Sequence, residues 1–255
     1  MNSIVLSERL FTIASFVPKG SNMADIGSDH ALLPCFLVSM QVVPFAIAGE
    51  LNEGPFKSAE SQVEQYGLKE RISVRKGNGL EVIQEPDRID VITIAGMGGA
   101  LIANILEKGR EKLLATKRLI LQPNVGEEQV RWWLDRHGWQ IIDETILEEN
   151  EKIYEIIVAE SKLTQLTDPY NDHDMSREEL YRLGPILWRK KGPILLKKWM
   201  KEQAKIDYIR SQLAYALSEV EKSKTEQRLS KESQWITGVL ECLQKDKPSF
   251  KSSNS

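Results

Sequence analysis

Apolar residues recur along this chain with two different periods, and the change between them organises the sequence. Leu6, Leu10, Ile13, Ala14 and Val17 fall at helical spacing, and Pro18-Lys19-Gly20 ends that helix. Short apolar runs then alternate with amphipathic stretches. The runs Met23–Ile26, Phe45–Gly49, Ile72–Arg75, Asp90–Ala95 and Arg118–Gln122 read as buried strands. The stretches around 30–40, 54–66, 99–113 and 126–137 read as the helices between them. Strands alternating with helices of this length predict an α/β fold with a parallel, Rossmann-like sheet. Trp139–Leu147 and Ile153–Glu160 are β-rich runs split by Glu148-Glu149-Asn150-Glu151-Lys152, a pattern that predicts a closing antiparallel hairpin.

From about Leu163 the β-type runs stop. Gln165–Ser176, with Pro169, Asn171 and three aspartates, reads as a linker. The rest is helical in character, interrupted at Gly184-Pro185 and Gly192-Pro193. Ile206, Ile209, Leu213, Leu217 and Val220 make a seam of coiled-coil spacing, and Leu229, Ile236, Val239, Leu240 and Leu243 form a second stripe after the polar stretch 221–228. A helical hairpin satisfies both. The expected organisation is a sheet domain over 1–162, a helical domain over 163–247 and a flexible tail over 248–255.

Composition changes this picture in one respect. The 255 residues, 41% hydrophobic and 28% charged, are those of an ordinary soluble globule. The net charge of −3 is unevenly spread: residues 1–160 hold 16 basic and 24 acidic side chains, residues 161–255 hold 18 and 13. Between Arg177 and Arg210 ten basic residues face four acidic ones, which points to an anionic partner; a solvated helix face is the plainer alternative. Cys35 and Cys242 are far apart in sequence, so neither a disulfide framework nor structural zinc is expected, and no metal site is predicted. The amino terminus lacks a leader pattern and no apolar run reaches spanning length, so a cytoplasmic protein with no membrane partner is expected. A monomer is expected.

Candidate chemistry gathers where strands end. Asp25-Ile26-Gly27-Ser28-Asp29-His30 closes the first run with two carboxylates around a glycine turn. A dinucleotide site calls for further glycines with bare amides facing a pyrophosphate. Acid at this turn instead favours a ligand with positive charge, such as the sulfonium and ammonium of S-adenosylmethionine. Gly49-Glu50 ends the second run and suits two ribose hydroxyls. Gly77-Asn78-Gly79 ends the third, with an amide that can both donate to and accept from an adenine edge. Ala95-Gly96-Met97-Gly98-Gly99 ends the fourth, and Gln122-Pro123-Asn124 ends the fifth, its two amides suited to a flat nitrogenous base. Each segment alone has an ordinary reading as a turn or surface group; five in succession describe a crevice at the carboxyl ends of a sheet.

Together with Ala31, Leu33-Pro34 and Gly54-Pro55, these segments resemble the bacterial tRNA (adenine-22, N1) methyltransferase family over nearly the whole chain. Gly-Met-Gly-Gly and Gln-Pro-Asn are the most distinguishing motifs. Many relatives carry Asp where this chain has Asn78, and an amide can still hold adenine there. The resemblance implies a class I methyltransferase sheet, S-adenosylmethionine as donor and N1 of a tRNA D-arm adenine as acceptor. The donor pocket would be lined by Asp25, Gly27, Ser28, Glu50, Leu51, Asn52, Asn78, Gly79, Gly96, Met97 and Gly98. Neutral adenine already has a lone pair on N1, so catalysis asks for alignment and for groups that stabilise the positive charge the base acquires. Asp29 is the first candidate for that electrostatic role, Asn124 for holding the adenine edge, and His30 for positioning. Asp25 would order the turn or meet the donor's ammonium. The tRNA would be met by Arg9, Gln122, Pro123, Lys190, Lys191, Lys197 and Lys198, with Trp188 and Trp199 more simply read as core. Competing readings are a methyltransferase for another RNA position or a small molecule, a non-catalytic RNA-binding protein on the same fold, and, third, a nicotinamide oxidoreductase.

Overall fold

The computed structural model of the chain describes residues 4–161, 167–172, 174–213 and 219–245. A short helix, α1 (Glu8–Ser15), opens it, capped by the Ser7 hydroxyl, which accepts from the Leu10 amide. Seven strands follow: β1 (Met23–Ile26), β2 (Ala46–Glu50), β3 (Ile72–Lys76), β4 (Val91–Gly98), β5 (Arg118–Val125), β6 (Trp139–Glu149) and β7 (Lys152–Ser161). They form one sheet in the order β3-β2-β1-β4-β5-β7-β6, with β1 to β5 parallel and β7 antiparallel to both β5 and β6. Helices α2 (Leu32–Ser39), α3 (Glu53–Gln65), α4 (Gly99–Lys108) and α5 (Glu127–Arg136) make the crossovers. Every residue of β1 and β2 is buried, which is why both are apolar apart from Asp25 and Glu50 near their carboxyl ends. The order reverses between β1 and β4, and the crevice at such a reversal is where α/β sheets hold ligands.

Two of the parallel strands run three residues further than the sequence pattern suggests. β4 does not stop at Ala95, nor β5 at Gln122: Met97 pairs with Pro123 and Gly98 with Val125, with register shifts around Met97. Gly96, at φ +77°, lets β4 bulge and continue where another residue would be strained. The helix expected over 99–113 divides instead, α4 ending at the Gly109 cap before a 3-10 turn at Arg110–Leu113.

A buried ionic joint holds the hairpin to the helices beside it. Arg131 of α5 lies in the core with its Nε donating to Glu144 (2.7 Å) and Nη2 to Glu155 (2.5 Å), while Nη1 donates to the Tyr181 carbonyl (3.0 Å). Tyr181 belongs to α6 (Arg177–Leu183), whose Arg177 grips Asp135 of α5 at 2.5 and 2.8 Å. Gly184, at φ +81°, ends α6 where a Cβ would stand 2.6 Å from Arg131 Nη2. The chain accordingly divides into compact units at Met1–Ile186 and Leu187–Ser255. The boundary expected at 162/163 lies outside the described residues, as do part of the 165–176 linker and the 248–255 tail; α6 sorts with the sheet because its ionic partners are there.

In the second unit α7 (Pro185–Lys190, begun in the first) leads to α8 (Pro193–Leu213), and α9 (Glu219–Lys245) follows. Trp199 meets Trp235 edge-on at 5.1 Å, Gln203 donates to Ser233, and Arg210 to Glu226, so α8 and α9 run antiparallel. The polar stretch 221–228 lies inside α9 and does not interrupt it. Ile206 and Leu213 of the expected seam are buried and Ile209 is exposed; Leu217 and the Val220 side chain lie outside the described residues.

Candidate active site

The wall built by β1 and β2 carries the acids. Asp25 is buried at the crevice end of β1, its Oδ1 accepting from the Thr93 hydroxyl (2.5 Å) and its Oδ2 from Ser28 Oγ (2.6 Å). Burial pushes its pKa up to about 6, with the two hydroxyls pulling the other way and nearby Glu50 adding to the rise. Each oxygen thus takes one hydroxyl, tying Asp25 to its own turn and to β4. Gly27, at φ +71°, donates its N–H to the Gly49 carbonyl at 2.8 Å, tying β1's turn to β2. Glu50 ends β2 with Oε1 accepting from the Asp29 amide at 2.7 Å, and burial raises its pKa as well.

Asp29, His30 and Ala31 then take φ of 38°, 63° and 52°, three successive side-chain-bearing residues in the left-handed region. Each such residue costs about 1–2 kcal/mol, and strain of this kind persists where surrounding structure enforces it, as at binding sites. The Glu50 bond to Asp29 is part of that enforcement. The detour delays α2 to Leu32 and leaves the Asp29 side chain 89% exposed, 3.7 Å from His30 Nε2. Leu51 is exposed, and Asn52 holds the N-cap position of α3 without capping it. Asn78, exposed after β3, donates its N–H to Glu81 at 3.4 Å, and Gly79 at φ +59° lies against Ile105.

The wall built by β4 and β5 carries the amides. A Cβ on Gly27 would stand 2.2 Å from Met97 Cε, so the β1 and β4 turns touch across a bare α-carbon. Gln122, fully buried, accepts at Oε1 from Arg9 Nη1 (2.6 Å) and the Gly96 amide (3.1 Å). Its Nε2 donates to the Pro123 carbonyl (2.9 Å) and Asn124 Oδ1 (3.0 Å), and Asn124 Nδ2 donates to the Gly96 carbonyl (2.8 Å). Gln122 and buried Pro123 therefore brace the wall from within, and Asn124 is the exposed amide upon it.

Residues 23–237 match the model of the tRNA (adenine(22)-N(1))-methyltransferase family. The chain belongs to that family. It is 49% identical over 216 residues to the Bacillus subtilis (strain 168) tRNA (adenine(22)-N(1))-methyltransferase, covering 85% of this chain and 89% of the relative. Among solved structures, the B. subtilis m1A22 tRNA methyltransferase matches with a TM-score of 0.82 at 43% identity, over 93% of this chain and 99% of the other. A Streptococcus pneumoniae protein solved with S-adenosyl-L-methionine matches at 0.79 and 44% identity, over 92% and 100%. The M. capricolum structure, with S-adenosyl-homocysteine, matches at 0.75 and 26% identity, over 93% and 99%.

In this member of the tRNA (adenine(22)-N(1))-methyltransferase family, Arg9 is not a loose surface charge. Besides bonding Gln122, its amide donates to Glu149 (3.2 Å) and its guanidinium lies 5.3 Å from the Tyr154 ring centroid. Lys190, Lys191, Lys197 and Lys198 belong to the second compact unit. There Lys191 Nζ lies 5.0 Å from the Trp188 ring and Lys198 Nζ 5.8 Å from Trp199, and both indoles are core. The sequence pattern did not single out Thr93, Glu149 or Tyr154. Thr93 had a signal, as the one hydroxyl inside the apolar run Val91–Ile94. Among the described residues no group of three or more His, Cys, Asp or Glu is placed to hold a metal ion, and no helix is long and apolar enough to cross a membrane.

Proposed function

We propose that this protein transfers the methyl group of S-adenosylmethionine to N1 of adenine 22 in tRNA. The observation that carries the reading is the pairing, across the β1/β4 reversal, of an acidic wall with an amide wall. The residues fit the donor: a buried carboxylate on β2 suits ribose hydroxyls, and bare Gly27 admits a close ligand. Glu50, Leu51, Asn52, Asn78 and Gly79 would hold the nucleoside part, and Gly27, Ser28, Gly96, Met97 and Gly98 the amino-acid part. When bound, the donor supplies a methyl made electrophilic by the sulfonium.

The protein's share is placement. The adenine N1 lone pair forms the new C–N bond while the C–S bond breaks, the sulfur leaves as a neutral thioether, and the positive charge passes to the base. No proton has to be removed first, so Asp29 acts as an electrostatic partner for the charged base, Asn124 holds its edge and His30 assists positioning. A base within folded tRNA must be exposed or extruded to reach such a crevice. The acidic 1–160 half is poorly suited to hold the polyanion, and Lys190, Lys191, Lys197 and Lys198 of the basic segment would neutralise phosphates. We read the protein as a cytoplasmic monomer that needs no metal.

The test is methyl transfer to unmodified tRNA with adenine or guanine at position 22, read by primer extension. N1 methylation blocks the Watson–Crick edge, so a stop at 22 appears only with adenine and donor. A stop elsewhere, or methyl incorporation indifferent to position 22, would overturn the assignment.

A further inference from the structure

We infer that Arg9 is a positioning residue which, through Gln122, sets Asn124 to read the N6/N7 edge of the target adenine. The inference rests on the function proposed above and concerns how the same site chooses its base. An arginine side chain can only donate, and so can a backbone N–H. Arg9 Nη1 and the Gly96 amide, at 2.6 and 3.1 Å, both point to one atom of the Gln122 amide, which must therefore be its oxygen. The nitrogen then faces the Pro123 carbonyl and Asn124, so the Asn124 atom 3.0 Å away must accept and is Oδ1. That leaves Asn124 Nδ2 facing the Gly96 carbonyl at 2.8 Å, an acceptor, as the chain of bonds requires. The orientation of the Asn124 amide thus follows from that of Gln122, whose oxygen is held by the Gly96 amide and by a cation 113 residues away in sequence.

The consequence is chemical. An amide offers two N–H donors and two oxygen lone pairs. In Asn124 one donor goes to Gly96 and one lone pair to Gln122, leaving one N–H and one lone pair on an exposed residue. Adenine offers an adjacent acceptor and donor on two edges, N1 with N6–H and N7 with N6–H. N1 must be free to attack the methyl, so the Watson–Crick edge is excluded. The N3 side has no N–H neighbour. The match is N6–H to Oδ1 and Nδ2–H to N7, the bidentate pairing that asparagine makes with adenine in nucleic-acid readout.

The test pairs an altered base with an altered brace. tRNA carrying 7-deazaadenine at position 22 lacks the N7 acceptor but keeps N1 at least as basic, so kcat/KM should fall about tenfold with the wild-type enzyme. Gln122→Glu keeps acceptors for Arg9 and Gly96 but cannot donate to Asn124, so adenine should lose a similar factor. In that variant 7-deazaadenine should carry little additional penalty, a coupling that a merely structural defect would not produce. Arg9→Met should behave likewise and Arg9→Lys recover part of the loss, with S-adenosylmethionine affinity unchanged in both. If Gln122→Glu does not fold, the wild-type base comparison and the Arg9 pair decide. Equal rates for adenine and 7-deazaadenine would overturn the edge assignment. An undiminished 7-deaza penalty in Arg9→Met would overturn the role of Arg9. Failure of the wild-type enzyme to methylate adenine 22 at all would strike the proposed function instead.

Discussion

Asp25 and Glu50 end adjacent parallel strands, yet their carboxyls do different work. Asp25, with a pKa raised to about 6, holds its proton more tightly in the folded chain than in the unfolded one. Its contribution to stability is therefore full below the ordinary carboxyl range near 4 and is lost as pH rises through about 6. Asp25→Asn should gain on the wild type by on the order of 2–3 kcal/mol between pH 4 and pH 8, as urea unfolding at both pH values would record. No such gain would mean that the buried carboxyl is compensated by something other than Ser28 and Thr93. Glu50→Gln should weaken donor binding by about tenfold or more in calorimetry, since it removes charge-assisted acceptors. Asp29→Ala should lower single-turnover methyl transfer by about 10–100-fold with donor affinity nearly unchanged; weaker donor binding with turnover preserved at saturation would make Asp29 a donor ligand. These acids were legible because a carboxylate beside a strand-end glycine is conspicuous in an apolar run. Thr93 was not assigned because its role depends on register: it is the cross-strand partner of Asp25, which no local pattern reveals.

β4 and β5 show where turn signals mislead. Gly96-Met97-Gly98-Gly99 and Gln122-Pro123-Asn124 read as chain reversals, and each segment alone would be one. Side by side they stay paired, because the proline and the bulge fall where the ladder tolerates them. The two last glycines differ sharply. A Cβ on Gly99 would stand 1.9 Å from the Gly126 carbonyl oxygen, a backbone atom that cannot swing away, whereas one on Gly98 would only touch Val125 at 4.0 Å. Gly99→Ala should therefore cost about 3 kcal/mol or prevent folding, while Gly98→Ala should melt within a few degrees of the wild type; comparable melts would show that α4 and α5 can separate. The Arg131 joint was invisible beforehand, since an arginine in an amphipathic helix ordinarily reads as surface.

Charge is divided along the sequence, acidic over residues 1–160 and basic over 161–255. Replacing Lys190, Lys191, Lys197 and Lys198 by alanine should raise the KM for tRNA and flatten its salt dependence, by about one unit of log–log slope for each phosphate left without its lysine. Donor affinity should stay the same; an unchanged salt slope would remove these lysines from the tRNA surface. The fold class and the order of the strand ends were legible because parallel strands and crossover helices leave long, separable patterns. The end of the first compact unit was not, because composition changes near residue 163 while hydrogen bonds to Arg131 of α5 and Glu144 of β6 come from as far along the chain as Ile186. That offset matters to anyone building chimeras. A helical appendage exchanged at residue 163 would take α6 with it, so the carbonyl that Arg131 meets and the amide that Glu144 meets would both have to come from the incoming chain. Exchanges between family members belong at a junction after Ile186, where every partner of that buried charge stays with its own chain.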